Sequence, residues 1–354
     1  MYLSKLTLEN FRSYPQQTLE FDPKINLILG PNGSGKTNIL EAIYFLSCGK
    51  SFRASSSFQL INWNQNYAIV KGDLNSVKTE VQLIKNPVTA SVSRKFFIDQ
   101  VVKTRNHYLG TLKIVVFEPE DIRLVTGSPS RRRDFLDSIF SSIEWRYSSA
   151  LSQFHRALKH RNELLDLIRN NQAQRSELFY WDQSLIKNGD IIHDYRQKFI
   201  NSANSFFKNH PNSEINTLSL NYFPSILTAA KLEAQASAEI AQGYTLSGVH
   251  RDDFNFSNSI FSTTDTNLAF WGSRGQQRLA VLSLRLAQIN YLEIEYHDKP
   301  VLLLDDIFSE LDLNHRQLVG NICQKYQTIF TSAESETIQN LIGSHVINLP
   351  TAQS

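Results

Sequence analysis

A glycine-rich stretch near the N-terminus has the residue types and the spacing of a loop that binds phosphate groups. Residues 30–37 match the pattern G-x-x-x-x-G-K-[ST] in full. Glycines let backbone N–H groups turn inward around phosphates, and the N-terminus of a following helix adds positive potential. We expect Lys36 to reach the β- and γ-phosphates of a nucleoside triphosphate, and the Thr37 hydroxyl to bind Mg²⁺. The stretch comprises Gly30, Pro31, Asn32, Gly33, Ser34, Gly35, Lys36 and Thr37.

Two consecutive carboxylates far along the chain are candidates for the second half of this site. Residues 301–304 are Val-Leu-Leu-Leu, and Asp305 and Asp306 follow them directly. A buried strand that ends in acidic residues is typical of a Walker B element. Asp305 is then predicted to hold the Mg²⁺ shell through water, and Asp306 to orient or activate the attacking water. Taken alone, the segment also fits a core strand that ends in a turn-forming pair of aspartates.

A third segment, Ser273-Arg274-Gly275-Gln276, opens a predicted helix. A serine hydroxyl and a glycine amide at a helix N-terminus can face an anion, although Ser273 alone is equally well explained as an ordinary N-cap. Residues 309–312, Ser-Glu-Leu-Asp, follow Asp306 closely. In this order the segments resemble the signature motif and the D-loop of ABC-type ATPases. The resemblance implies that the signature completes the nucleotide site of a second subunit.

The periodicity of apolar residues predicts the elements that position these segments. Strands are predicted near residues 3–8, 19–21 and 25–29, followed by a helix over 37–47, so the glycine-rich loop joins a strand to a helix. The chain is then β-rich from 57 to 116, which suggests an antiparallel extension of the first sheet. The later predictions are helices within 130–204, one of them over 177–199, a loop over 201–213, helices over 229–241 and 273–291, and strands over 301–304 and ending at 330.

These elements and motifs predict an α/β protein, an ABC-type P-loop ATPase head with an antiparallel β extension and a helical second lobe. The ATPase lobe is predicted to comprise residues 1–125 and 245–354, and the helical lobe residues 126–244. At roughly 150 residues per domain, a length of 354 residues is consistent with two domains.

Composition excludes several other classes of protein. With 41% hydrophobic and 20% charged residues the chain is neither disordered, collagen-like nor a disulfide scaffold. No uncharged apolar stretch approaches the roughly 20 residues of a membrane helix, and Lys5, Glu9 and Arg12 interrupt the N-terminal segment, unlike a secretory signal. Cys48 and Cys323 are the only cysteines and lie far apart, which argues against structural zinc and fits reduced thiols of a cytoplasmic protein.

Clusters of basic residues are candidates for contact with DNA. The formal net charge of +2 does not itself require a nucleic-acid partner, so such a surface would be a local patch. Phosphate contacts would make binding independent of sequence and sensitive to salt, whereas the same residues also fit the solvated faces of helices. Lys50 and Arg53 could contact DNA or support the nucleotide site, and the sequence does not decide between the two. The main candidates are Arg131, Arg132, Arg133, Arg156, Lys159 and Arg161.

Motifs along nearly the whole chain resemble those of the RecF family of bacterial recombination mediators. They include the start of the head that RecF shares with SMC-type proteins. The motifs are residues 10–13 (Asn-Phe-Arg-Ser), 30–37, 49–53 (Gly-Lys-Ser-Phe-Arg), 117–121 (Phe-Glu-Pro-Glu-Asp), 127–129 (Gly-Ser-Pro), 132–137 (Arg-Arg-Asp-Phe-Leu-Asp), Arg161-Asn162, Leu164-Leu165, Trp181-Asp182, 247–253 (Ser-Gly-Val-His-Arg-Asp-Asp), 273–276 and 305–312.

The resemblance implies a specific function. ATP with Mg²⁺ would lie between the phosphate loop of one subunit and the signature of the other, so that ATP binding joins two heads and hydrolysis releases them. Such a protein binds single- and double-stranded DNA, preferably at their junctions, and acts with RecO and RecR to load RecA in DNA repair, replication-fork recovery and the SOS response. Its ATPase would be weak and DNA-stimulated, and its location cytoplasmic and nucleoid-associated. Nucleotide contacts besides the loop would be Arg12, Ser13, Ser273, Gly275 and Gln276.

The chain departs from the wider ABC-type pattern at three positions. Asp306 stands where most of these ATPases have Glu, as is common in RecF-like sequences, and its shorter carboxylate suggests slow hydrolysis. Thr331 and Ser332 occupy the place of the usual switch histidine. Residues 117–121 are the nearest counterpart of a Q-loop but contain no glutamine. The sequence therefore identifies neither the switch nor the Q-loop residue.

Two other ATPase classes fit the sequence less well. An SMC-type structural head would need long coiled-coil arms, and the 235 residues between Thr37 and Ser273 are too few to hold them. A transporter's nucleotide-binding subunit would need a membrane partner, and the basic helical lobe fits it poorly. His250-Arg251-Asp252 resembles a kinase motif, but Ser257 stands where that motif requires Asn.

Overall fold

The computed structural model describes residues 1–89, 91–260, 266–310, 313–333 and 344–350. The chain divides into two compact units, the first made of Met1–Asp121 with Leu292–Ser354 and the second of Ile122–Tyr291. None of the helices in the described ranges combines the length and the hydropathy needed to cross a lipid bilayer.

The first unit combines two sheets with a few helices, whereas the second is mainly helical. The strands are β1 (Leu3–Phe11), β2 (Tyr14–Glu20), β3 (Ile25–Leu29), β4 (Tyr67–Leu74), β5 (Lys78–Lys85), β6 (Val92–Ile98), β7 (Val101–Lys103), β8 (Ile114–Phe117), β9 (Leu218–Phe223), β10 (Asp253–Asn258), β11 (Val301–Asp305), β12 (Thr328–Ser332) and β13 (His345–Asn348). The helices are α1 (Lys36–Cys48), α2 (Arg105–Tyr108), α3 (Arg123–Thr126), α4 (Pro129–Ser141), α5 (Trp145–Arg169), α6 (Phe179–Lys208), α7 (Ser213–Asn216), α8 (Ala229–Gln242), α9 (Leu268–Trp271), α10 (Arg274–Tyr296) and α11 (Leu313–Cys323).

A parallel sheet in the first unit has the strand order β13-β3-β12-β11-β8. All five residues of β3 are buried, as are the four apolar residues of β11, which is the continuous apolar pattern of strands covered on both faces. Because β3, β12 and β11 are parallel neighbours, their carboxyl ends meet at one edge of the sheet. The glycine-rich loop, Thr331 and Asp305 are thus brought to the same place.

An antiparallel sheet of the same unit has the order β2-β1-β4-β5-β6-β7. Its strands alternate, as in β4, where Ala68, Val70 and Leu74 are buried and form a core with α1. Gly72 lies where α1 packs closest, because a Cβ atom there would be only 2.3 Å from Leu46 Cδ2. Helix α1 is therefore held between the residues of both sheets.

The structure distributes the predicted strands between two sheets, which differs from the sequence prediction. The first three strands were expected to share a sheet, but β1 and β2 belong to the antiparallel sheet and β3 to the parallel one. The predicted antiparallel extension also included the residues up to 116. In the structure, β8 at this position instead pairs in parallel with β11. The burial patterns explain the division, since β1 alternates and β3 and β8 are buried throughout.

The second unit is built around the long helices α5 and α6, together with the antiparallel pair of strands β9 and β10. Helix α6 continues to Lys208, so the loop predicted over 201–213 begins too early. Ala203 and Phe207 are fully buried at helical spacing from Phe199, and their burial stabilises these last turns. Pairing of β10 with β9 also places residues 253–258 in this unit, whereas the predicted boundary assigned everything from 245 onward to the ATPase lobe.

Candidate nucleotide-binding site

The glycine-rich loop joins the buried strand β3 to the N-terminus of α1. Gly33 and Gly35 adopt φ angles of 84° and 93°, a left-handed conformation that disfavours any residue with a Cβ atom. Gly35 is further constrained because a Cβ atom there would lie 2.6 Å from the Tyr14 hydroxyl. That hydroxyl donates a hydrogen bond of 3.3 Å to Ser34 O, and burial raises the pKa of Tyr14 to about 12. The loop geometry thus requires glycine where the motif has it.

Lys36 lies at the start of α1 with its ammonium group inside the loop. Its Nζ donates hydrogen bonds of 2.6 Å to Gly30 O and 3.0 Å to Pro31 O, and the residue is buried. Both partners are neutral carbonyls, so the positive charge is not compensated by these contacts. The ammonium group is therefore placed to attract phosphate oxygens at the mouth of the loop.

Thr37 and Asp305, the two predicted Mg²⁺ ligands, are in direct contact. Thr37 Oγ1 donates a hydrogen bond of 2.9 Å to Asp305 Oδ1, although 268 positions separate them in sequence. A hydroxyl and a carboxylate are hard oxygen ligands of the kind that Mg²⁺ takes together with water and phosphate oxygens. In the loop itself, Ser34 Oγ is buried and has no hydrogen-bond partner within the described part of the chain. These residues fit a magnesium–nucleotide complex.

Thr331 on β12 connects the Asp305 carboxylate to the backbone of Asp306, a role that sequence reasoning left open. Its hydroxyl donates a hydrogen bond of 2.8 Å to Asp305 Oδ1 and accepts one of 3.1 Å from the Asp306 N–H. Asp306 adopts a φ angle of 48°, so the chain turns sharply directly after β11. Thr331 pairs with Asp305 across the parallel strands, and this register could have been recognised only after the strand order was known.

Arg12 and Ser13, predicted to contact the nucleotide, lie beside α1. The Arg12 guanidinium donates two hydrogen bonds of 2.7 Å to the carboxylate of Glu41, which is fully buried and also accepts from the Ser51 hydroxyl. Ser13 Oγ accepts from Asn38 Nδ2 at 3.0 Å. These contacts hold the turn after β1 against α1, and nucleotide contact by Arg12 and Ser13 stays a prediction. The sequence reasoning missed Glu41, which lies in no motif, and did not assign a role to Ser51 within the motif at residues 49–53.

The signature segment forms a reciprocal cap at the start of α10 in the second unit. Ser273 Oγ accepts from Gln276 N at 3.3 Å, and Gln276 Oε1 accepts from Ser273 N at 2.9 Å, which is a capping box. Ser273 and Gly275 are exposed, and a Cβ atom on Gly275 would meet no atom closer than 4.0 Å. The cap is therefore observed, whereas contact with a nucleotide stays a prediction. The predicted D-loop lies partly outside the described residues, which omit 311 and 312.

Two of the arginines predicted to face DNA are instead buried in ion pairs. The Arg132 guanidinium binds both oxygens of Asp253, at 2.6 and 2.9 Å, and also Gly127 O. Arg161 is 1% exposed and contacts Asp182 at 2.6 Å and the buried Glu239 at 2.7 Å. Both guanidinium groups are engaged inside the second unit, so the DNA contacts predicted for them do not fit the structure.

The other candidates in this unit are more accessible. Arg156 and Lys159 are exposed on α5, and Lys159 Nζ lies 3.9 Å from Glu163. Arg131 and Arg133 are half-buried, and Arg133 donates a hydrogen bond of 2.9 Å to Asp252 O. DNA contact by these four residues stays a prediction.

A further group of buried ion pairs involves the motif at residues 247–253. Arg196 of α6 is 1% exposed and binds Asp252 Oδ2 and Asp137 Oδ1, each at 2.7 Å. Asp252 also accepts from the Tyr222 hydroxyl at 2.6 Å. Burial lowers the pKa of the neighbouring His250 to about 4, which leaves it neutral at pH 7. The motif thus stabilises the second unit by joining α4, α6 and the paired strands β9 and β10.

Comparison with known proteins gives matches over nearly the whole chain. Residues 2–351 match the family described as "RecF/RecN/SMC N terminal domain". The DNA replication and repair protein RecF of Leptospira interrogans is 33% identical over 353 residues, covering 97% of this chain and 94% of that protein. The protein of the same name from Bacillus thuringiensis is also 33% identical, over 98% of this chain and 97% of its own length.

Solved structures agree with these sequence matches. A structure of the recombination mediator protein RecF with ATP in the RecFOR pathway has a TM-score of 0.81 and 29% identity, over 95% of this chain and 93% of that one. The Smc head domain of Pyrococcus furiosus has a TM-score of 0.51 and 17% identity, over 98% and 93%, and shows likeness of fold alone. The predicted ABC-type ATPase head is confirmed by these folds, and the chain belongs to the RecF family.

Proposed function

We propose that this protein is an ATP-dependent DNA-binding protein of recombinational repair and replication-fork recovery. It would form an ATP-gated dimer that binds DNA, preferably at junctions of single and double strands, and would act with RecO and RecR to promote RecA loading. It would do so in the cytoplasm, at the nucleoid and within the SOS response. The names of its relatives support this, since they are DNA replication and repair proteins and a mediator of the RecFOR pathway.

The observation that carries the ATPase part of the proposal is the contact of Thr37, Asp305 and Thr331 beside Lys36. Lys36 would bind the β- and γ-phosphates, while Thr37 and Asp305 would hold Mg²⁺, directly or through water. The metal ion would neutralise charge on the phosphates. Asp306 would accept a proton from the attacking water, and the products would be ADP and phosphate. Aspartate is one methylene shorter than glutamate, which is consistent with slow turnover.

Gating would follow from differential binding of ATP to the dimer. Ser273 and Gly275 at the exposed start of α10 would meet the γ-phosphate bound by a second subunit. Because ADP lacks that phosphate, hydrolysis would remove the contact and release the two heads. DNA bound to the dimer would in this scheme stimulate a weak ATPase.

Sedimentation with and without ATP tests this scheme. Ser273→Arg would place a bulky side chain at the subunit contact while residues 30–37 stay unchanged. We expect each monomer to bind ATP normally, and both ATP-dependent dimerisation and DNA-stimulated hydrolysis to be lost. Lys36→Ala is the complementary variant, because it weakens ATP binding in the loop itself, and a mixture of the two variants should form at most one complete site per dimer. A normal dimer of Ser273→Arg with ATP would refute the two-subunit site and leave Ser273 as a helix cap.

A further inference from the structure

Positive charge is concentrated in one part of the chain. Residues 42–117 contain ten Lys and Arg against three Asp and Glu, whereas residues 126–244 contain fourteen against twelve. The whole protein has an excess of only two positive charges. The excess of seven within residues 42–117 therefore exceeds that of the entire chain. Phosphate backbones are bound chiefly by Lys and Arg, so residues 42–117 are a candidate segment for local attraction to a polyanion.

Five of these basic residues lie around the C-terminal end of α1, and we call them the α1-end cluster: Lys50, Arg53, Lys85, Arg94 and Arg105. Two of these residues, Lys85 and Arg94, contact the same short helical turn, Ser57–Leu60. Arg94 on β6 donates a hydrogen bond to Ser57, and Lys85 Nζ on β5 lies 5.7 Å from the ring centroid of Phe58. Lys50 and Arg53 are exposed on the segment that leads from α1 into this turn.

Glycine at the end of α1 allows the Phe96 ring to approach the helix, and Arg94 lies beside this contact. Gly49 has a φ angle of 70°, and a Cβ atom there would lie 2.6 Å from the Phe96 ring and 3.7 Å from Arg94 Cδ. Burial lowers the pKa of both Arg94 and Arg105, and the charge of Arg94 lowers that of Arg105 further, while Cys48 raises both. Two like-charged guanidinium groups are thus close enough to repel each other. An anion between them would relieve that repulsion.

Three arginines of the second unit are already held by carboxylates. Arg132, Arg161 and Arg196 are buried against Asp253, Asp182, Glu239, Asp137 and Asp252. We propose that the α1-end cluster binds the phosphate backbone of DNA. This inference rests on the proposed DNA binding and assigns Lys50 and Arg53 to DNA rather than to nucleotide support. Ser51, between them, holds the segment by accepting hydrogen bonds from Arg53 N and Ala54 N.

The test compares two double variants that remove the same charge from the same unit. Lys50→Gln with Arg53→Gln changes the cluster. Lys71→Gln with Lys78→Gln is the control, because both residues are exposed and alternate with buried residues, which places them on the opposite face of the antiparallel sheet. Binding of a fluorescein-labelled duplex of about 30 base pairs is measured by anisotropy between about 50 and 200 mM salt, where counterion release dominates. Nucleotide affinity is measured in parallel.

The cluster variant should make the plot of log K against log salt less steep by about 1.8, which is ~0.9 for each of two lost phosphate contacts. The control should keep the slope of the unmodified protein, and both should bind ATP normally. Equal loss in both variants, or no loss in the cluster variant, would overturn the assignment. Lost ATP affinity in the cluster variant would instead place Lys50 and Arg53 at the nucleotide site. If the unmodified protein itself binds no DNA, the proposed function fails together with this inference.

A pair of variants at Arg94 separates charge from folding. Arg94→Lys keeps the positive charge, whereas Arg94→Gln removes it but can still donate a hydrogen bond to Ser57. We expect DNA affinity to persist in the lysine variant and to fall in the glutamine variant, with a slope lower by about 0.9. Equal DNA affinity in the two variants would show that the charge of Arg94 does not contact phosphate.

Discussion

Replacing Thr331 by valine tests whether its hydroxyl holds the catalytic carboxylates in place. The side chain is buried, and valine has nearly the same shape, so the substitution removes a hydroxyl without creating a cavity. Two hydrogen bonds are lost, one donated to Asp305 and one accepted from Asp306 N. The first involves a carboxylate and contributes about 2 kcal/mol, and the second about 1 kcal/mol.

The total of about 3 kcal/mol sets the largest effect on catalysis. If both hydrogen bonds are needed in the transition state, the rate of ATP hydrolysis falls by about 100-fold, since each 1.4 kcal/mol is a factor of roughly ten. We expect the Mg²⁺-dependent part of ATP affinity to fall as well, because, of the hydrogen bonds that Thr331 and Thr37 donate to Asp305, only the one from Thr37 then remains. Thr331→Ser keeps the hydroxyl and should retain most of the activity.

Single-turnover hydrolysis and ATP titrations with and without Mg²⁺ measure these effects. Thr328→Val is the matched control, because it removes another buried hydroxyl from β12 whose acceptors are Cys323 O and Tyr326 O, away from the carboxylates. The control should hydrolyse ATP normally even if it lowers the free energy of unfolding. Equal rates for Thr331→Val and Thr328→Val would refute the role of Thr331.

Two further predictions concern the second carboxylate and the buried arginines. Asp306→Asn should still bind ATP with Mg²⁺ normally, because Asp305 and Thr37 are unchanged, but it should not hydrolyse ATP. The ATP-bound dimer should therefore persist in sedimentation. Hydrolysis at the normal rate would show that Asp306 does not position water. Arg132→Ala should lower the free energy of unfolding measured in urea by about 3–5 kcal/mol, since Asp253 loses its buried partner. The control Arg156→Ala replaces an exposed side chain and should change the free energy of unfolding by less than about 0.5 kcal/mol. A similarly small effect for both variants would mean that the Arg132 pair does not stabilise the unit.

The loop and the acidic strand end could be predicted because each is contiguous in sequence. Residues 30–37 and the pair Asp305–Asp306 carry their chemistry in neighbouring positions, and the buried strands before them are visible as apolar runs. Thr331 could not be assigned in the same way, because its role depends on the register between β11 and β12. Glu41 was missed for a related reason, since its partner Arg12 lies on another element 29 positions away.

The division of the strands into two sheets could also not be read from local pattern. Both β1 and β3 are apolar enough to form one sheet, and only their burial patterns separate a strand covered on one face from a strand covered on both. Helix α6 was predicted to end early because its last turns contain polar residues, although Ala203 and Phe207 continue the buried stripe.

Basic residues of the second unit show why charge in sequence is weak evidence for DNA contact. Arg132 and Arg161 lie on the buried stripes of α4 and α5, and their partners Asp253 and Glu239 lie 121 and 78 positions away, so no pattern of basic residues alone reveals such pairs. Net charge over a long segment is more informative, since internal pairs cancel in it. By that measure residues 126–244 have nearly equal numbers of basic and acidic residues. Residues 42–117 have seven more basic than acidic residues, an excess that pairing within the segment cannot remove. Carboxylates elsewhere in the chain balance part of this excess, as Asp298 does for Lys113. Charge that is not balanced in this way attracts solvent ions or a polyanion, which is why salt dependence is the decisive measurement for the α1-end cluster.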